Sequence, residues 1–144
     1  MLKELLNSVG LPLTATDGTE TTLRIDDRLT LELALTADHE HLTLRAVVGH
    51  LDPDADTARV REIAVANYAG ATTGGGALGL NPVNGEVLLF RETALRQLDA
   101  ALFETLLSRF IDAACLWQDV LNAAPGSNTG TVPSSSSSTA WVRA

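Results

Sequence analysis

Between Leu102 and Leu121 apolar side chains recur at the spacing of one helical face: Leu102, Leu106, Phe110, Ala113, Ala114, Trp117 and Leu121. Phe103, Leu107 and Ile111 widen the stripe, and Asp99 stands where an N-cap belongs. A helix of roughly two dozen residues rises ~35 Å, enough to cross a small sheet. So wide an apolar face needs cover from more than one side. The chain ahead of it must supply that cover.

It supplies strands. Leu29, Leu31, Leu33 and Leu35 alternate strictly with Thr30, Glu32, Ala34 and Thr36, which predicts a strand with one buried face. A strand is expected before it at 22–26, with Leu23 and Ile25 on one face and a tight turn at Asp27-Arg28. Another is expected after it at 41–51, with Leu42, Leu44, Ala46 and Val48 on one face and Val47 and Leu51 on the other. Short turns join the three into an antiparallel meander. A further hairpin is expected late in the chain: Leu78 and Leu80, then Asn81-Pro82-Val83-Asn84-Gly85, then a strand at 86–91 whose Val87-Leu88-Leu89-Phe90 run is apolar on both faces.

Two more helices complete the order. Leu2, Leu5, Leu6 and Val9 predict a short first helix, stopped by Gly10 and Pro12, and residues 14–21 read as a loop. The acidic cluster Asp52, Asp54 and Asp56 suits a helix start, with Asp54 or Asp56 as cap. That helix runs to about Tyr68, with Val60, Ile63, Ala64 and Tyr68 on one face and Gly70 as C-cap. Thr72 to Gly76 reads as a flexible connector. The expectation is an α+β domain, two layers in the order α-β-β-β-α-β-β-α with an antiparallel twisted sheet, over residues 1–122. Residues 123–144, with Pro125, Gly126, Gly130, Pro133 and a serine run at 134–138, read as a flexible tail.

Eighteen acidic against ten basic residues give a net charge of −8. That disfavours nucleic acid and anionic membrane surfaces, which need clustered cations. One cysteine, Cys115, permits no intramolecular disulfide and fits a reducing cytoplasm. It is expected to be a buried structural thiol, and Trp117 a core anchor. His39 and His41 could face one way on a strand, but a metal needs a third or fourth ligand, so a polar hairpin tip is the better reading. Gly74-Gly75-Gly76 lacks the Lys-Ser/Thr of a phosphate loop. No convincing catalytic set emerges; the sequence predicts no enzyme and no cofactor. The second helix, and in part the first, carry more apolar surface than one copy can hide, which predicts a homodimer.

The hairpin from Leu78 to Phe90, the Leu95–Leu98 segment after it, and the late helical turn Ala114-Cys115-Leu116-Trp117-Gln118-Asp119-Val120-Leu121 resemble the class I chaperones of type III secretion systems, the CesT/Tir-chaperone family. The resemblance covers about residues 1–121. It implies a homodimer in the bacterial cytoplasm that holds the N-terminal region of one or a few secreted virulence effectors soluble and secretion-competent, without ATP. It further implies a dimer interface on the second helix and the following strand pair, at Ile63, Val65, Ala66, Leu78, Leu80, Val87 and Leu89. Effector contacts would fall on the first helix and the sheet, at Leu2, Leu5, Leu6, Leu31, Leu33 and Leu44. The alternatives are a cytosolic regulatory or binding protein that shares the fold but has no secretion role and, less favoured, a small metal-dependent enzyme using His39 and His41.

Overall fold

The computed structural model describes residues 2–8, 10 and 18–123. Its elements are α1 (Leu2–Ser8), β1 (Glu20–Ile25), β2 (Leu29–Leu35), β3 (His41–His50), α2 (Thr57–Ala69), β4 (Ala77–Leu80), β5 (Glu86–Ala94), a 3-10 turn (Leu95–Gln97) and α3 (Ala100–Asn122). The expected order and class hold. β1 starts two residues earlier than the sequence suggests, and β5 runs three residues further. The expectations for Val9, Pro12, residues 14–17 and the tail from 124 onward lie outside the described residues.

One antiparallel sheet carries the order β1-β2-β3-β5-β4. The first turn falls on Asp26 and Asp27, both left-handed (φ 49° and 53°), and Arg28 N–H closes it onto the Ile25 carbonyl at 3.0 Å. Aspartate tolerates that region better than most side chains. Between β3 and β5 the register shifts between Val47 and Gly49. This bulge changes the phase of everything beyond it, so Leu51 turns into the core instead of joining Val47 outside.

The inner face of the sheet is almost wholly leucine and valine: Leu31, Leu33, Leu42, Leu44, Val87 and Leu89 have no accessible surface. α3 lies over it and buries Phe103, Leu106, Leu107, Phe110, Ala113, Ala114 and Trp117. Leu102, expected in that stripe, is 47% exposed, because Phe103 rather than its neighbour begins the inward row. A Cβ on Gly49 would lie 3.0 Å from the Leu121 side chain; the glycine lets the last turns of α3 rest on β3. At the other end Asp99 caps the helix, its carboxylate accepting from Leu102 N–H at 2.8 Å. Asp99→Ala should lower stability by about 1 kcal/mol in urea unfolding.

Five side-chain hydrogen bonds fix the remaining pieces. Arg28 donates to the Cys115 carbonyl at 3.2 Å and to the Asp119 carboxylate, and Gln118 donates to the Arg28 carbonyl at 3.1 Å. This ties the first turn to α3. The Trp117 indole N–H donates to the Thr72 carbonyl at 3.1 Å, and an Arg91 Nη1–H donates to the Gly74 carbonyl at 2.7 Å. The loop between α2 and β4 is therefore no flexible connector. Thr73 is fully buried, a Cβ on Gly74 would lie 2.6 Å from the Arg109 carbonyl, and one on Gly76 would clash with the Phe90 carbonyl. The glycines are there because α3 and β5 leave no room for side chains.

Candidate functional site

Of the large apolar residues left on the surface, Val47 and Phe90 lie on the sheet and Val65 and Tyr68 on α2, while Val83, Leu102 and Leu116 are exposed elsewhere. On the outer sheet face, β1 and β2 present Thr22, Arg24, Thr30 and Glu32, all exposed. Across β3, β5 and β4 the same face is mixed, with apolar residues beside the exposed Arg45 and Glu92. Val47 is 40% and Phe90 44% exposed, and Leu88 between them is half-buried. They pair Val47 with Leu88, Leu88 with Gly79 and Phe90 with Ala77, so the patch reaches the edge strand.

α2 stands at that edge. Its Asn67 side chain takes both outward backbone groups of Leu78, donating to the carbonyl at 2.9 Å and accepting from the N–H at 2.8 Å. The amide thus acts as one more strand residue and closes part of the β4 edge. The buried side of α2 is Ile63 and Ala66, with Val60 partly covered. This differs from the face expected, since Ala64 and Tyr68 point outward. Tyr68 is 84% and Val65 58% exposed, so the helix shows apolar surface to solvent as well as to the core. At its start, Asp56 is the N-cap but makes no capping bond; its carboxylate accepts from Asp52 N–H at 3.1 Å instead.

Of the residues expected at a dimer interface, Ile63, Ala66, Leu78, Val87 and Leu89 are buried within the single chain, Leu80 is half-buried, and Val65 is on the surface. Of those expected to touch an effector, Leu2, Leu6, Leu31, Leu33 and Leu44 are core, and Leu5 is half-buried. The inward-pointing members of each strand are the ones an alternating pattern makes conspicuous. Val47 is exposed, on the face opposite the buried row as its phase predicts, whereas Phe90 and Tyr68 are not singled out as surface residues by the sequence; the opposite phase of the alternation in β5 marks Phe90.

Leu5 lies beside two adjoining hollows that share Leu95. One of about 220 Å³ is lined by Glu4, Leu5, Ser8, Leu95, Leu98 and Ala100. The other, about 280 Å³, is lined by His39, Glu40, His41, Ala94, Leu95 and Arg96. The two histidines thus sit at a polar hairpin tip, where His39 is left-handed (φ 58°). There the Thr36 hydroxyl and the Glu40 N–H hold the Asp38 carboxyl below its usual range. Among the described residues no three His, Cys, Asp or Glu side chains converge as metal ligands, and no helix is long and apolar enough to cross a membrane. Cys115 is half-buried rather than enclosed.

A leucine-filled α+β domain with helices over one sheet face and an apolar patch on the other is built to bind protein. Its family is identifiable: the Tir chaperone protein (CesT) family profile matches residues 1–118, and the chain belongs to that family. No curated protein sequence matches it significantly. Among solved structures, a chain of the ExsC-ExsE complex is 27% identical with a TM-score of 0.64, over 85% of this chain and 91% of that one. A chain of the Pseudomonas aeruginosa ExoU-SpcU complex is 14% identical with a TM-score of 0.66, covering 85% and 98%. A chain from the Yersinia pestis type III secretion chaperone SycH bound to a fragment of YscM2 is 17% identical with a TM-score of 0.62, covering 81% and 95%. The fold of the chain is that of the class I type III secretion chaperones.

Proposed function

We propose that the chain is a homodimeric, cytoplasmic type III secretion chaperone of a bacterium. It holds the N-terminal region of a secreted effector extended and soluble, without ATP and without catalysing a reaction. The observation that carries this reading is the placement of surface apolar groups on a fold of this family. Val47, Leu88 and Phe90 on the sheet and Val65 and Tyr68 on α2 lie toward the β4 end, where a second copy can cover them. Val65 and Leu80 are then direct members of the seam, and Ile63, Ala66, Leu78, Val87 and Leu89 support it from beneath.

On this reading the effector surface lies at the two hollows around Leu95. Leu5 and Leu98 offer shallow apolar contacts there, and Leu2, Leu6, Leu31, Leu33 and Leu44 form the packed bed below. A disordered segment binds well to such a surface, spreading many weak contacts over a long path. The net charge of −8 keeps a protein with this much exposed apolar surface in solution.

Co-purification from the native bacterium tests the reading. Tagged chain should recover a secreted protein held through its first ~100 residues, a length on the scale of one domain, and Leu5→Asp should reduce the yield without unfolding the chaperone. Recovery of cytosolic regulators alone would overturn the secretion role in favour of a regulatory protein on the same fold.

A further inference from the structure

A third hollow, of about 430 Å³, lies between α3 and the loop that joins α2 to β4. Its lining is mixed. Ala71, Ala113 and Leu116 give it apolar surface, and it holds one cation, Arg109, and one carboxylate, Asp112. Among the described residues neither charged side chain has an ion-pair or hydrogen-bond partner. The Trp117–Thr72 and Arg91–Gly74 bonds hold the loop in place, so the hollow is preformed. Asp112 opposes an anion there, and Arg109 opposes a cation. The lining suits a neutral group that donates to the carboxylate, accepts from the guanidinium and rides on an apolar body. Among side chains with a large apolar body, only tyrosine both donates and accepts.

The chain has one tyrosine, Tyr68, and it is 84% exposed. At 3.6 residues per turn it points away from the buried Ile63 and Ala66, out from its own chain. Val65, three residues earlier, is its neighbour on the outer side of α2. Tyr68 does not line the hollow of its own chain, yet that hollow opens at Gly70, two residues further on. Knob and hole therefore stand side by side at the C-terminal end of α2. In an isologous interface every contact between two different residues occurs twice. A twofold axis passing beside this end carries each Tyr68 to the other copy's hollow.

We propose that in the homodimer Tyr68 of each copy seats in this hollow of the other, its hydroxyl donating to the partner's Asp112 and accepting from the partner's Arg109. The inference rests on the dimer of the reading above but not on its secretion role. The volume is on the scale of a ligand pocket and admits a phenol ring. A buried tyrosine covers about 150–250 Å², so the pair supplies a substantial part of the roughly 1,200 Å² that a stable interface needs. Val65 on α2 and Val47, Leu88 and Phe90 on the sheet are available for the rest.

Sedimentation equilibrium of the full chain tests this with two surface variants. Tyr68→Ala removes the knob and leaves the hollow intact. Ala71→Trp leaves the knob and fills the hollow of its own chain with an indole. Each alone should raise the dimer Kd at least about a hundredfold, two anchors at about tenfold or more apiece, with an unchanged far-ultraviolet circular dichroism spectrum. Tyr68→Phe, which loses only the hydroxyl, should fall between Tyr68→Ala and wild type. Mixing Tyr68→Ala with Ala71→Trp should restore dimers at a concentration where each alone is monomeric, because the mixed pair keeps one knob in one open hollow. Wild-type affinity in either variant, or no rescue on mixing, would overturn the inference while a wild-type dimer leaves the chaperone reading standing. A wild-type monomer would overturn both. If Ala71→Trp stays dimeric but recovers less secreted protein from the native bacterium, the hollow belongs to that protein and the inference fails.

Discussion

Trp117→Ala should cost about 3–5 kcal/mol of folding stability, the usual penalty for emptying a buried aromatic site. That is a large share of the roughly 5–15 kcal/mol that holds a domain together. The effect has two parts. Removing the indole leaves a cavity between α3 and the sheet, and it orphans the Thr72 carbonyl that the ring N–H now satisfies. Trp117→Phe separates them: most of the packing stays, the hydrogen bond goes, and a loss of about 1–2 kcal/mol is expected. Urea unfolding followed by far-ultraviolet circular dichroism measures both. A cost below about 1 kcal/mol for the alanine variant would mean that the loop is not anchored through this residue. The alanine variant should also weaken self-association, because the loop it releases joins α2 to β4.

The layout of the chain was legible because its strands alternate cleanly and its last helix keeps a strict apolar row. Leu29 to Leu35 predicted both a strand and its buried face, and Asp99 predicted a cap that the structure makes. What failed was long-range in origin. Three successive glycines read locally as slack, yet Gly74 and Gly76 are imposed by backbone atoms of α3 and β5 that are distant in sequence, and Gly75 lies against the Arg91 guanidinium. The phase of Leu51 depends on a bulge against β5, and no local pattern announces it. The candidate contact residues suffered from a different confusion. A regular apolar pattern identifies the inward side of an element, so Leu31, Leu33 and Leu44 stood out and proved to be core. Exposed apolar residues break the pattern instead, as Phe90 does in a strand already complete with Val87 and Leu89, and as Tyr68 does on α2.

That distinction sets the sharper test of the dimer. Val65→Asp and Ala66→Asp are adjacent substitutions of the same charge on α2, but they should fail in different ways. Ala66 is buried within one chain, so its aspartate places an unpaired carboxylate in the core and should destabilise the fold itself by several kcal/mol. Val65 is 58% exposed in the single chain, so its aspartate is harmless to the monomer and costly only when a second copy covers it. Burying an unpaired charge at a seam costs about 3 kcal/mol or more, over a hundredfold in Kd. Light scattering should therefore show Val65→Asp as a folded species of half the wild-type mass at micromolar concentration, while its thermal unfolding at high dilution matches wild type. A wild-type monomer would refute the dimer outright. A Val65→Asp dimer of undiminished affinity would move the seam off α2 and onto the outer sheet face, where Phe90→Asp would then have to dissociate it.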